Sequence, residues 1–194
     1  MSREALLRLA AADAFRSLGL DRRQALWQLL ALPDQSLPLF ADDDDREPRP
    51  ALPLMPLDET VVQDYDALGL SLNAHPISLI RPELQTVRVL ECARLVDAKP
   101  KRRVTVVGLV THRQRPATAK GLVFMTLEDE TGTANLIVRP EVWERDKAIG
   151  RAKIALLADG VVERQGAVVH LQVTRLRDLS GQLGPLVERS RDFH

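Results

Sequence analysis

Residues 123–128 alternate between a wholly apolar set and a more polar one. Val123, Met125 and Leu127 fall on one side, and Phe124, Thr126 and Glu128 on the other. A period of two over six residues is the pattern of a strand with one face in a core and one toward water. Asp129-Glu130-Thr131-Gly132 follows as a turn, and Ala134–Val138 reads as the returning strand. Upstream, 103–112 is rich in Val and Thr and suits a first strand. Downstream, Pro140 suits the first turn of a helix over 141–149. Residues 154–163 and 168–176 then form a second hairpin about Gln165-Gly166. Three strands, a helix and two more strands is the layout of the five-stranded OB barrel.

The first hundred residues read differently. Leu6, Leu9, Ala10, Ala14 and Leu18 make one apolar stripe at helical spacing, which Gly19 ends. Asp21 caps a second helix with Ala25, Leu26, Leu29 and Leu30 on its apolar side, and Pro33 stops it. This is a helical hairpin. Such hairpins bind DNA phosphate through turn amides or serve as plain packing units, and the plain reading is favoured here. Six prolines at 33, 38, 48, 50, 53 and 56, with the acidic run Asp42–Asp45, mark a linker. A third amphipathic helix is expected over 58–73, carrying Val61, Val62, Tyr65, Leu68 and Leu72 on one side, with Pro76 disfavouring helix at His75. The predicted fold is therefore α+β. A helical hairpin segment (1–32) and a Pro/Asp-rich linker (33–57) precede a helical connector (58–100), an OB barrel (101–180) and a tail (181–194).

Charge separates the same halves. The formal net charge is zero. Residues 1–100 hold 11 Lys and Arg against 16 Asp and Glu, whereas 101–180 hold 14 against 9. A modest basic excess on the barrel points to an anionic partner, with ordinary surface charge as the alternative. Cys92 is the only cysteine, so neither an internal disulfide nor a cysteine-based zinc site is available. No apolar run approaches the roughly 20 residues that span a bilayer, and the N-terminus has no signal-peptide core. A cytoplasmic protein without membrane contact is expected. His75, His170 and His194 lack metal-ligand spacing.

Barrels of this kind lay bases on an outward sheet face and track phosphates with basic loops. Phe124 is the candidate stacking ring, with Asn135 and Arg139 beside it on the next strand. The alternative is a one-residue slip that seals Phe124 inside and turns Val123 and Met125 out. Arg113, Arg115 and Lys120 in the loop after the first strand, with Arg102 and Arg103 leading into it, are the candidate phosphate clamps. Trp143 on the helix is expected in the core. In the linker, Gln35, Leu37, Leu39 and Phe40 form a short motif with a polar anchor and three apolar side chains. It is similar to the peptides that bind the bacterial sliding clamp, or else it folds back on the helices.

Three segments carry a family resemblance. Arg115–Gly132 resembles the OB domain of bacterial C-family DNA polymerases. Gly69–Ile77 resembles the segment before that domain, and Ala14–Gly19 the end of the family's helix-hairpin-helix region. The chain most resembles the error-prone branch, related to the polymerase III α subunit, and Ser190–His194 is similar to that branch's terminus. The resemblance implies the non-catalytic C-terminal region of an enzyme that extends primers across damage. It implies single-stranded template DNA as ligand, with the sliding clamp and other mutagenesis proteins as further partners. An alternative is a docking module that recruits those proteins and barely touches DNA. No cofactor is expected in this chain. The Mg-binding carboxylates of the parent enzyme would lie far upstream, and the replicative relative's further C-terminal domain is expected to be missing.

Overall fold

The computed structural model describes residues 1–32 and 51–183. It divides into two compact units, one ending at Asn73 and the other beginning at Ala74. The boundary falls inside the stretch expected to be a single connector.

In the first unit, α1 (Arg3–Ala11) begins at Ser2, whose hydroxyl accepts from the Ala5 amide at 3.2 Å. The chain then leaves the helix, with Asp13 at φ 58°, and makes a 3-10 turn over Arg16–Leu18 that ends on left-handed Gly19. The expected continuous stripe is thus broken after Ala11, and Leu18 is 71% exposed. The α2 helix (Arg22–Ala31) starts on a reciprocal cap. Asp21 accepts from the Gln24 amide, and the Gln24 side chain accepts from the Asp21 amide. The α3 helix (Leu57–Leu68) stops earlier than expected. Gly69 takes φ 75° and supplies the left-handed cap, leaving Leu72 93% exposed. Among the described residues of this unit, Ala10, Ala25 and Val61 are the buried apolar ones. The buried pair Arg22 and Asp64 ties α2 to α3. Asp64 also accepts from Ser71 at 2.6 Å and Asn73 at 2.8 Å, which pins the chain leaving α3. Burial would raise the Asp64 carboxyl, but these donors and Arg22 hold it below its usual range.

The second unit is the barrel. His75 caps the short α4 helix (Pro76–Ile80), its Nδ1 accepting from the Ile77 amide at 3.1 Å. Pro76 occupies the first helical turn, as the sequence requires. A two-residue strand, β1 (Val89–Leu90), pairs parallel with β2 (Arg103–Gln114). The remaining elements are β3 (Val123–Asp129), β4 (Gly132–Val138), α5 (Pro140–Ala152), β5 (Ala155–Gln165) and β6 (Val168–Asp178). The order is β1-β2-β3-β4-β6-β5, and β5 pairs again with β2. Five strands therefore close on themselves, with β4 and β6 parallel, as in an OB fold.

The interior contains Val123, Met125, Leu127, Leu136, Leu156 and Leu171, all essentially without exposed surface, and Trp143 from α5. Trp143 is core, as expected. Each fully buried aliphatic of this size contributes about 1.5–3 kcal/mol. A second apolar cluster lies on the outside of the barrel. Val107, Ala155 and Leu157 are covered there by Ile77, Ile80 and Leu84 and by Leu179 and Leu183. Part of the outward sheet surface is thereby closed by the barrel unit's own chain.

Candidate nucleic-acid interface

The face of β3 follows its alternation. Val123, Met125, Leu127 and Asp129 are buried, while Phe124, Thr126 and Glu128 keep partial exposure on the other side. The slip that would seal Phe124 inside does not occur. Cross-strand pairing builds the surroundings of the ring: Phe124 lies opposite Ile137 on β4 and Gln114 on β2. One step along, Thr126 lies opposite Asn135 and His112, with its hydroxyl 3.4 Å from the Asn135 side-chain oxygen. Asn135 and His112 are exposed and Ile137 is half-buried. Directly opposed side chains on one face lie within reach of each other, so ring, aliphatic and amide fall in one patch.

The candidate cations divide into three groups. Arg115 and Lys120 are exposed in the loop joining β2 to β3, and Arg139 is exposed at the start of α5. These flank the Phe124 end of the sheet. Lys120 takes φ 49°, which turns the chain before Gly121 at φ 84°. Arg102 and Arg103 are also exposed, but they lie at the opposite end of β2, paired with the far part of β5. Arg113 differs from all of these. It is half-buried and its guanidinium donates to the Lys153 carbonyl, with Nε lacking a partner. Burial lowers its pKa from the ordinary value. Arg113 therefore braces the strand-to-helix junction, and its charge is less available to a ligand than that of Arg115 or Lys120.

Of the acidic residues near this face, Asp129 is fully held and Glu128 stays partly exposed on the Phe124 side. Asp129 is buried and accepts from the Thr131 hydroxyl at 2.6 Å, the Cys92 amide at 3.0 Å and Arg81 at 2.8 Å. Glu128 lies 3.9 Å from His75. Among the described residues, no group of three His, Cys, Asp or Glu could hold a metal ion. No helix among them is long and apolar enough to cross a membrane. The Gln35, Leu37, Leu39 and Phe40 motif lies outside the described residues.

The tRNA anti-codon family, described as an OB-fold nucleic acid binding domain, matches residues 104–179. Over its whole length the chain is 44% identical to error-prone DNA polymerase 1 of Rhizobium meliloti (strain 1021). This chain is homologous to the C-terminal region of the error-prone DNA polymerases. An error-prone DNA polymerase of Bradyrhizobium sp. (strain ORS 278) is 46% identical over 94% of the chain. The chain spans 18% and 16% of the lengths of these two polymerases. Among solved structures, an asparaginyl-tRNA synthetase from Pyrococcus horikoshii complexed with asparaginyl-adenylate is 16% identical, with a TM-score of 0.42, over 48% of this chain and 22% of that one.

The sequence singled out Phe124, Asn135, Arg115, Lys120 and Arg139, and the fold gathers them at one end of the sheet. Ile137 falls in the same alternate set as Asn135 and Arg139 and was legible on its own strand, whereas Gln114, which completes the patch, was not singled out. Its signal is cross-strand register, which a single strand's alternation does not contain.

Proposed function

We propose that this chain is a non-catalytic, single-strand-binding module of an error-prone DNA polymerase, holding template DNA during synthesis across damage. The observation that carries the reading is the outward Phe124 ring, set between Ile137 and Gln114 and beside exposed Asn135, at the sheet end flanked by Arg115, Lys120 and Arg139. Bases have π-faces that stack on such a ring whatever their identity, and cations beside it take the phosphates. That combination suits an unpaired strand better than a duplex, whose bases are already stacked. Primer extension and its metal chemistry belong, on this reading, to the remainder of the polymerase.

Fluorescence anisotropy of a labelled single-stranded oligonucleotide tests the reading. Phe124→Ala should weaken binding by about 1–3 kcal/mol for the base it stacks. Substituting Arg115 and Lys120 together by Ala should flatten the salt dependence by about 1.4 in slope, from roughly 0.7 per phosphate contact. Binding that ignores both salt and Phe124 would point instead to a protein-docking module. The linker motif supports a second contact, with the sliding clamp through Gln35, Leu37, Leu39 and Phe40. Pulldown with purified clamp should lose the Leu39→Ala/Phe40→Ala variant, and equal retention would end that idea.

A further inference from the structure

The outward row that begins at Gln114 and Phe124 does not stop at the β4 edge. Phe124 pairs with Ile137, Ile137 with Gln172 on β6, Gln172 with Val161 on β5, and Val161 with Arg103 on β2. The path starts on β2 and returns to β2 at its other end, which is the stagger of a closed barrel. Ile137, Gln172 and Val161 lie on the outward set of their strands and are each half-buried. The apolar cluster beneath α4 covers Val107, Ala155 and Leu157, away from this row.

The charges along the row favour a nucleic-acid strand as occupant. None of its six residues is acidic. Arg139, just past the end of β4, and Arg175, beyond Thr174 on β6, are exposed on the same side of the row because those strands are parallel. Nearby carboxylates are already held. Asp159 accepts from Thr105 at 2.7 Å and from Arg177 at 2.9 Å, and Glu163 pairs with His170 at 3.1 Å. Five strand-to-strand steps of roughly 4.8 Å give a track of about 24 Å.

We propose that the single strand follows this row around the barrel, so that Val161 and Gln172, with Arg102 and Arg103 at the end, form a second subsite reached only by longer oligonucleotides. The proposal rests on the single-strand reading above and names the path of that ligand. A strand entering at the Arg115–Lys120 loop meets Phe124 first and the Arg102–Arg103 pair last. Affinity should then rise with length until the far pair is engaged.

The 194-residue chain, titrated by anisotropy with labelled oligothymidylates of about 4 and about 12 nucleotides, tests this, since site sizes on such barrels run from roughly 4 to 16 nucleotides. The wild type should bind the longer probe more tightly by tenfold or more. In Arg102→Ala/Arg103→Ala that gain should collapse to a few-fold. The salt slope for the longer probe should fall by about 1.4, for two phosphate contacts at roughly 0.7 each. Gln172→Glu, which places a like charge mid-track, should also reduce the gain. Arg102 and Arg103 are exposed and Gln172 is half-buried, and unchanged thermal unfolding of the variants verifies that the barrel is intact. A length gain that survives both variants while Phe124→Ala still weakens binding overturns the path and leaves the Phe124 patch standing. Insensitivity of both probes to Phe124→Ala removes the single-strand reading and the path with it.

Discussion

A carboxylate without exposed surface persists only where its partners replace water, and Asp129 meets that condition. Burial alone would raise its pKa, yet the Thr131 hydroxyl, the Cys92 and Thr131 amides and the Arg81 charge outweigh it and hold the carboxyl below its usual range. The same residue organises the hairpin, because Asp129 pairs with Gly132 and its Oδ1 accepts from the Thr131 and Gly132 amides. Neighbouring Cys92 is buried and its thiol is pushed well above the ordinary value, so it stays unreactive. A depressed folded pKa contributes stability that is fully present above the unfolded carboxylate value, about pH 4, and is lost as pH falls through the folded one. Asp129→Asn should therefore lower stability at pH 7 by about 1–3 kcal/mol, the cost of unsatisfied buried partners. It should also flatten the loss of stability as pH falls below about 4. Thermal unfolding followed across pH measures both, and a variant matching the wild type at neutral pH would show the cluster to be dispensable.

Elements ended where single residues ended them, and this decides what the sequence could reveal. Asp21 and Pro140 act locally, so their roles were legible without knowing the fold, whereas Gly19 ends a separate 3-10 turn and not the first helix, which stops at Ala11. Gly69 was equally visible, but the apolar spacing running on to Leu72 outweighed it in the reading, and the helix in fact stops at Leu68. The side of β3 that carries Phe124 was legible because alternation is a property of one strand. Arg113 was misleading because its engagement comes from Lys153, forty positions along the chain. Close approach between strands was hidden in the same way. A Cβ on Gly160 would sit 2.5 Å from the Gln172 carbonyl oxygen, and one on Gly108 would sit 2.7 Å from that of Glu128. These are backbone atoms that cannot swing aside. Gly160→Ala should cost about 1–3 kcal/mol, as overpacking does. Gly181→Ala, where a Cβ meets nothing within 4 Å, serves as the matched control. Chemical denaturation should separate the two, and equal midpoints would mean that the β5–β6 pair tolerates a wider spacing.

At the scale of the whole molecule, charge and architecture divide at the same place. Residues 1–73 carry 7 Lys and Arg against 13 Asp and Glu, and the barrel unit that follows carries the basic excess. The barrel has its own interior cluster and its own outer cluster, built from residues 77–183, so its apolar burial does not draw on the helical unit. A chain beginning at Ala74 should consequently unfold cooperatively as a single transition. Its binding to single-stranded DNA distinguishes the two readings of the helical hairpin. If that unit is a plain packing element, removing it acts on binding only through its net negative charge. Affinity should then rise severalfold at about 0.01 M salt, where the screening length is roughly 30 Å, and converge on the full chain's value at about 0.15 M, where it is roughly 8 Å. If α1 and α2 themselves hold phosphates, the shortened chain should bind more weakly at both salt concentrations, and the hairpin would become part of the interface. Anisotropy titrations of the two chains at those salt concentrations decide between these outcomes, because screening erases a long-range repulsion but not the loss of a direct contact.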